Sequence, residues 1–329
     1  MHKLKFSILK RIWVAAFGKF VCTTLAIWLF VAIVSFFWTP YSLLQTNGYE
    51  VWQKPSFAHP LGTDGTGADI LSWLMAGSRV ELLLVICTIM LASSVGMLLL
   101  GLMISKSNAI RGVSVMAVDA LISIPTVLIA LMLAVPLSAS VLVIVLACGI
   151  GYGLNLARII RPSAWLVLQS DYVNSAISNG ASRRYVLFRH VLPNIMPIAV
   201  VQLSLSAGTV ILAESGLTYL GVGVPSGVPS WGRVLATSVT LIHVNPLAVL
   251  WPGLIVTLVV VALNLLGDVF STVLNPSAKS TINPSAKSQI NKQSSKQSNR
   301  QSSNQVNKQV SKQINKQSSK QIKNEVGAK

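Results

Sequence analysis

Six long apolar stretches, separated by polar segments, dominate the chain. A helix needs about 20 apolar residues to cross the hydrocarbon core of a bilayer, and each stretch is close to or above that length. The predicted spans are, approximately, residues 20–38, 80–104, 113–135, 138–157, 196–216 and 248–272. The pattern therefore predicts an all-α membrane protein with six transmembrane helices.

The composition also indicates a membrane protein. Of the 329 residues, 52% are hydrophobic and only 11% are charged, whereas a soluble domain has about 25% charged residues. The three cysteines, Cys22, Cys87 and Cys148, lie within apolar stretches and share no metal-like spacing. We interpret them as small buried side chains rather than as a disulfide framework.

The positions of Lys and Arg predict the direction of the spans, because cytoplasmic loops are enriched in both residues. With the N-terminus inside, the inner segments carry 23 of these residues and the outer segments carry 3. Without residues 275–329 the counts are still 12 and 3. Both termini are therefore predicted to be cytoplasmic. Residues 1–19 form a basic N-terminus, and 20–38 form an uncleaved anchor helix because no small-residue cleavage site follows it.

The segment 39–79 is predicted to be an extracytoplasmic loop. Gly62, Gly65 and Gly67 mark turns within it. The run GTDGTG lacks the Gly-Lys-Ser/Thr ending of a phosphate-binding loop, so it predicts no phosphate site. The apolar residues that follow recur at helical spacing and predict a short amphipathic helix near the outer surface. They are Ile70, Leu71, Leu74 and Met75.

The last segment, 275–329, is a repeat. Residues 290–321 form eight successive tetrads of the type INKQ and SSKQ, rich in Lys, Gln, Ser and Asn. Such a sequence cannot bury a core, so we expect disorder and a dispensable extension. The functional alternative is electrostatic attraction of its lysines to anionic lipid of the inner leaflet or to RNA. We expect contact with membrane lipid and no nucleic acid.

The chain lacks the common catalytic motifs. It has no Walker A sequence, no His-Glu-x-x-His helix and no Gly-x-Ser-x-Gly elbow, so we expect neither ATP binding by that route nor enzymatic activity. No histidine has another histidine three or four residues away. His59 and His243, both predicted to lie outside, are the plausible contributors to a metal site, and we predict no such site within this chain.

Three acids lie within or at the edge of predicted spans: Asp119, Glu214 and Asp268. A charged group is costly in lipid, so an intramembrane acid is a functional candidate. The alternative is that these acids hold helices together or reach interfacial water. Pro125, six residues after Asp119, is expected to kink the third span.

A polar, basic island, DYVNSAISNGASRRYVLFRHVLPNIMP, interrupts the apolar pattern between residues 171 and 197. We predict two short helices broken at Gly180, because glycine allows the sharp turn. On the cytoplasmic side they would form a docking surface for an ATPase. The predicted contact residues are Tyr172, Asn174, Ser175, Ala176, Gly180, Arg183, Arg184, Leu192 and Pro193.

Several blocks of the sequence resemble the permease subunits of bacterial ABC importers, in the family that handles dipeptides, oligopeptides and nickel. The similarity covers about 20–276 and is closest to the second of the two permeases. The outer block HPLGTDGTGADILSWLMAGSRVEL, the third-span block MAVDALISIPTVLIAL and the late blocks ILAESGLTYLGVGVPSGVPSWGRVL and NLLGDVFSTVLNP carry it. SAISNGASRRYVLFRHVLPN resembles the EAA motif, by which such permeases contact their ATPases.

The chain departs from the family pattern at a few positions. Asn174-Ser175-Ala176 stands where the motif has Glu-Ala-Ala, although Gly180 and Leu192-Pro193 match. Ala68 and Trp73 occupy positions where the family commonly has arginine. Asn174 in place of the glutamate leaves open whether one docking contact is weaker.

The resemblance implies a type I ABC importer permease bundle in the plasma (inner) membrane of a bacterium. Residues 80–274 would form the five-helix core, with a cytoplasmic coupling segment at 165–195. The implied partners are a homologous permease, two ATPase subunits that bind ATP and Mg²⁺, and an extracytoplasmic solute-binding protein that meets the outer loops 39–78 and 219–247. No cofactor is expected in this chain.

The substrate stays open between peptides, which we favour, and nickel or a metal chelate. Two other functions are also open. One is a non-transporting membrane scaffold or receptor with the permease fold. The other is an ion-coupled secondary transporter that uses Asp119 and Glu214.

Overall fold

The computed structural model describes residues 17–44, 47–240, 242–243 and 245–274. The predictions for the basic N-terminus up to residue 16 and for the repeat at 275–329 lie outside the described residues. The described part is helical, with one isolated antiparallel bridge between Thr63 and Asp69. The α-helices are α1 Gly18–Phe37, α2 Ile70–Met103, α3 Asn108–Ile122, α4 Thr126–Leu137, α5 Val141–Leu168, α6 Asp171–Ser178, α7 Arg183–Val186, α8 Leu192–Tyr219, α9 Trp231–Val239 and α10 Pro246–Leu274.

Within the described residues, five helices are long and apolar enough to cross a bilayer. They are α1, α2, α5, α10 and a continuous run from Arg183 to Tyr219 that joins α7 to α8. The pair α3 and α4 meets the same test together but is bent by 85°. The six-span prediction is confirmed when this bent pair counts as one span.

The bend between α3 and α4 has a local cause. Proline has no backbone N–H and its ring crowds the preceding turn, so α3 ends at Ile122 and Pro125 becomes the residue before α4. The expected kink at Pro125 is therefore confirmed. It divides the third predicted span into two short helices.

The start of α2 differs from the prediction. The residues expected to form a separate amphipathic helix are the first turns of a single 34-residue helix. Asp69 begins it, because its carboxylate accepts a hydrogen bond from the Ser72 backbone N–H at 2.8 Å. Gly77 does not interrupt the helix. Instead it lets α9 approach, since a Cβ there would lie 3.0 Å from Cδ1 of Trp231. The predicted loop 39–79 accordingly ends at Asp69.

The centre of the bundle is formed by α2 packed against α5. At Gly96 of α2 an added Cβ would lie 2.8 Å from Cδ2 of Leu156, and at Gly153 of α5 it would lie 2.8 Å from Cβ of Val95. Lipid tails are as apolar as side chains, so membrane helices associate by close packing of small residues. These two glycines provide that close approach.

Trp231 joins three helices at the end of the bundle opposite to α6 and α7. Its side chain is fully buried, and its Nε1–H donates to the Leu74 carbonyl of α2 at 3.0 Å. Its ring lies 5.9 Å from that of Trp28 in α1. One side chain of the short helix α9 therefore holds α1 and α2 together.

Candidate functional site: the α6–α7 segment and a buried acid pair

Residues 169–191, called here the α6–α7 segment, connect α5 to α8. Helix α6 ends at Ser178, α7 begins at Arg183, and a π-helical turn, Leu187–Val191, joins α7 to α8. The predicted pair of short helices broken near Gly180 is confirmed. This turn, which is wider than a turn of α-helix, ends at Val191, two residues before Pro193. In a regular α-helix the Pro193 ring would crowd the carbonyl group of Arg189.

The break depends on the left-handed backbone of Gly180, where φ is +86°. Its N–H donates to the Ile177 carbonyl and the next N–H, of Ala181, donates to the Ala176 carbonyl, each at 3.0 Å. This pair of bonds is the Schellman arrangement that ends helices at glycine. Ser182 then begins α7 by accepting a hydrogen bond from the Tyr185 N–H at 3.3 Å.

Buried valines fix the segment to the bundle. Val173, Val186 and Val191 are each at most 3% exposed. They pack in one apolar cluster with residues of α5 and α8, among them Ile160 and Ile195. The segment is therefore seated on the bundle by its apolar side, and its other side is free to contact a partner.

The free side presents an aromatic patch, defined here as Tyr172, Tyr185, Phe188 and His190. The first three are 50%, 51% and 65% exposed. The His190 ring lies 5.6 Å from that of Tyr172 and 5.8 Å from that of Tyr185, so it bridges the two short helices. Exposed aromatic residues beside polar ones are typical of protein interaction sites.

The other predicted contact residues lie on or beside this side of the segment. Asn174, Ser175, Arg183 and Arg184 are exposed. Ala176 is half-buried, and Gly180 forms the exposed turn between the two short helices. At the start of α8, Leu192 is half-buried and Pro193 is exposed. Phe188 and His190 were not among the predicted contact residues, although both fall within the polar island.

The predicted intramembrane acids do not lie together. Glu214 in α8 is fully buried and accepts hydrogen bonds from the hydroxyls of Thr218 at 2.8 Å and Ser215 at 3.2 Å. Asp119 lies on the surface of α3, 3.5 Å from Arg158 of α5, with both side chains about half exposed. Asp268, near the end of α10, is exposed.

Glu214 has a second buried acid beside it, Glu81 of α2. Glu81 is fully buried, and its two carboxyl oxygens find no donor among the described residues. It lies close to the Glu214 carboxyl of α8 and to Trp231 at the start of α9. Two ionised carboxylates only accept hydrogen bonds, so neither acid supplies a donor to the other while both are ionised. The two buried acids mark the place where α2 and α8 meet beside α9.

Glu81 was not among the predicted intramembrane acids, and the predicted span 80–104 places it at the second residue of the span. The unbroken helical spacing from Ile70 onward was the available signal. It places Glu81 eleven residues inside α2 rather than at its end.

The histidines considered for a metal site have other surroundings. The Nδ1 of His59 lies 3.0 Å from the Asp69 carboxylate and its Nε2 lies 3.7 Å from that of Glu50. Its ring is stacked 4.6 Å from that of Tyr41. His243 is exposed. Within the part of the chain that the structure describes, no three His, Cys, Asp or Glu residues group as metal ligands would.

The fold and the exposed α6–α7 segment can be compared with known proteins. Residues 95–280 match the family described as binding-protein-dependent transport system inner membrane component. A Brucella suis biovar 1 (strain 1330) protein, provisionally named a peptide permease, is 30% identical over 267 residues, which is 80% of this chain and 87% of that protein. The "Probable peptide ABC transporter permease protein" of Sinorhizobium fredii (strain NBRC 101917 / NGR234) is 33% identical over 227 residues, 69% of this chain and 78% of that protein.

The bundle is also similar to a solved structure. A chain of the MetNI methionine ABC transporter, solved in inward-facing conformations, superposes with a TM-score of 0.52 at 14% identity. The match covers 62% of this chain and 97% of that one. At this identity the likeness concerns the fold alone.

These features define a multi-pass helical protein of the inner membrane. The chain belongs to the family of binding-protein-dependent transport system inner membrane components. It is a transmembrane permease of an ABC importer, in the peptide branch of these permeases. As such it works with ATPase subunits and a binding protein, as the resemblance implied.

Proposed function

We propose that this permease translocates peptides and is driven by ATPase subunits that dock on the α6–α7 segment. The names of the related Brucella and Sinorhizobium proteins support a peptide substrate. The observation that carries the docking site is an exposed aromatic and polar surface on two short helices whose other side is fixed by buried valines. Such a surface can receive a partner without rearranging first.

The transmission of movement follows from one continuous helix. The run from Arg183 to Tyr219 is 37 residues long and includes both α7 and the membrane helix α8. At 1.5 Å per residue, Arg183 and Glu214 lie about 45 Å apart along it. When the ATPases close on ATP, they would move α7, and α8 would carry that movement towards the buried acid pair. The bundle would then switch between inward-open and outward-open states as packed bodies.

The complete transporter would contain a homologous permease, two ATPase subunits and an extracytoplasmic binding protein. ATP and Mg²⁺ would bind to the ATPases, so this chain would not itself be catalytic. The distribution of Lys and Arg supports placing the α6–α7 segment in the cytoplasm. The segment before α2, up to residue 69, and the segment 220–245 between α8 and α10 would then face the binding protein. The substrate would pass between the two permeases.

Uptake into proteoliposomes tests the proposed transport. The permease would be purified with its neighbouring permease and ATPase subunits and reconstituted with the binding protein. Uptake of labelled dipeptides, labelled oligopeptides and radioactive nickel would be measured with and without ATP. We expect ATP-dependent uptake of a peptide. Uptake of nickel alone would contradict the substrate, and uptake that follows a proton gradient without ATP would contradict the ATPase coupling.

Two tyrosines of equal exposure test the docking site. Tyr172 in α6 is 50% exposed and Tyr219 at the other end of α8 is 53% exposed. An aromatic side chain at the centre of an interface contributes 1–2 kcal/mol or more, so Tyr172→Ala should weaken ATPase association by about tenfold. Tyr219→Ala should leave it unchanged. Equal association of the ATPases with both variants and with the wild type would place the docking site elsewhere.

A further inference from the structure

A basic cavity lies beside the α6–α7 segment. It has a volume of about 780 Å³ and is bounded by the connection between α2 and α3, the end of α5 and the α7 side of the segment. Four cationic side chains line it: Lys106, Arg111, Arg183 and Arg184. No acidic residue is among its described lining residues. The cavity is therefore suited to an anion.

The rest of the cavity is apolar. Ile104, Leu168, Val186 and Leu187 form part of its wall, and the Trp165 ring lies 5.0 Å below the Arg111 guanidinium. A small inorganic anion would leave these walls without a contact. A molecule with both a charged head and a hydrocarbon chain would use the cations and the walls together.

The position of the cavity indicates where such a molecule comes from. It is built at the ends of α2 and α5, which are both long and apolar enough to span a membrane. The cavity would therefore lie at the level where these helices leave the hydrocarbon core. Basic pockets between membrane helices at this level bind the headgroups of anionic lipids. An anionic phospholipid of the surrounding leaflet can reach the cavity without leaving the membrane.

We propose that the basic cavity binds one anionic phospholipid, with its phosphodiester headgroup among the four cations and an acyl chain along the apolar wall. Lys106 comes from the α2–α3 connection and Arg111 from the first turn of α3, whereas Arg183 and Arg184 begin α7. A headgroup between them therefore links α7 to the start of α3. Because α7 belongs to the proposed docking segment, the lipid would hold that segment in place. This last consequence rests on the proposed function, but the binding itself does not.

Arg111 is already oriented for this role. Its Nη2–H donates to the Asn108 side-chain oxygen at 2.7 Å, and the Trp165 ring supports its guanidinium face. A side chain held in this way loses little further rotamer entropy when a headgroup binds. Each cation near a membrane surface contributes about 1 kcal/mol of attraction to anionic lipid, which corresponds to a fivefold change in affinity.

The binding test compares two double variants of the complete complex. Lys106→Gln/Arg111→Gln removes two charges from the cavity. Lys19→Gln/Arg158→Gln removes two exposed charges that are on the same predicted side of the membrane but do not line the cavity. Phosphatidylglycerol would be titrated into complexes in phosphatidylcholine nanodiscs, and retained lipid would be counted by native mass spectrometry. We expect about 25-fold weaker phosphatidylglycerol binding in the first variant and wild-type binding in the second.

Three results would overturn the proposal. The first is wild-type binding by Lys106→Gln/Arg111→Gln, and the second is an equal loss in the control variant, which would indicate diffuse charge attraction. The third is displacement of the lipid by millimolar inorganic phosphate, which would identify a site for phosphate alone.

A second measurement keeps the proposal testable if the double variant does not fold. Phosphatidylglycerol with brominated acyl chains should quench a fraction of the wild-type tryptophan fluorescence, and this quenching should saturate as the site fills. In Trp165→Phe the saturable quenching should be absent. Quenching that is identical in Trp165→Phe would contradict an acyl chain in the cavity. Both readouts are independent of transport. A complex that binds the lipid but shows no ATP-dependent uptake in any lipid would refute the proposed function and leave the lipid site intact.

Discussion

Replacing Gly180 by alanine tests the structural basis of the α6–α7 segment. Gly180 has φ of +86°, and an added Cβ would find no atom within 4 Å. The cost of alanine is therefore conformational and not steric. A left-handed backbone costs an L-residue about 1–2 kcal/mol, and the stiffer unfolded chain offsets about 0.4–1 kcal/mol of it. The net local destabilisation should be about 1 kcal/mol.

Hydrogen exchange measures this quantity directly. The N–H groups of Gly180 and Ala181 close the helix end, and they exchange when the break opens locally. A loss of about 1 kcal/mol should speed their exchange about fivefold. Mass spectrometry of the peptide covering residues 171–186 in the purified complex would report this change, while the exchange of α2 and α5 should stay the same.

Two further variants separate backbone conformation from side-chain size. Asparagine tolerates the left-handed region, so Gly180→Asn should exchange more slowly than Gly180→Ala. Gly112 of α3 also has open space around it and lies inside a helix, where alanine is favoured by about 0.5–1 kcal/mol. Gly112→Ala should not accelerate exchange. Wild-type exchange in Gly180→Ala, or faster exchange in Gly180→Asn, would refute this reasoning.

Three predictions concern the membrane helices, each measured as the thermal unfolding midpoint of the purified complex. Glu81→Gln should leave the midpoint nearly unchanged because its amide can donate to Glu214, whereas Glu81→Ala should lose about 2 kcal/mol or more through the cavity it leaves. Trp231→Phe should cost about 1 kcal/mol by removing one hydrogen bond, and Trp231→Ala about 3–5 kcal/mol because the buried ring is lost as well. Gly153→Val should cost about 1–3 kcal/mol by overpacking α2 against α5. Equal midpoints for the two variants at Glu81, or for the two variants at Trp231, would contradict the corresponding contact. A wild-type midpoint in Gly153→Val would contradict close packing of α2 against α5.

Local signals in the sequence were sufficient for much of the fold. The apolar stretches located the membrane helices, because burying a polar backbone in lipid requires about 20 continuous helical residues. Pro125 predicted the bend between α3 and α4, and Gly180 predicted the break between α6 and α7. In each case one residue restricts the backbone in a way that its neighbours cannot override.

Contacts between distant segments could not be predicted in the same way. The pairing of Glu81 with Glu214 depends on how α2 and α8 lie against each other, and neither residue marks the other in the sequence. The same holds for Trp231, whose hydrogen bond reaches α2 across 157 positions of the chain. Arg183 and Arg184 showed a basic surface, but only the fold brings them to the cavity that Lys106 also lines.

The continuous helix from α7 to α8 couples the two ends of the described bundle mechanically, because a movement at one end is passed along the helix to the other. Its first residues carry Tyr185, Phe188 and His190 of the exposed aromatic patch, and Glu214 lies within two turns of its last residue, Tyr219. At that far end, α8 and α2 share the buried acids Glu81 and Glu214 and an apolar cluster that includes Leu84 and Ile211. Carboxyl groups can form hydrogen bonds with water when they separate, whereas interlocked apolar side chains resist displacement. Within this contact, movement imposed on α7 would therefore separate the two acids more readily than the apolar side chains around them.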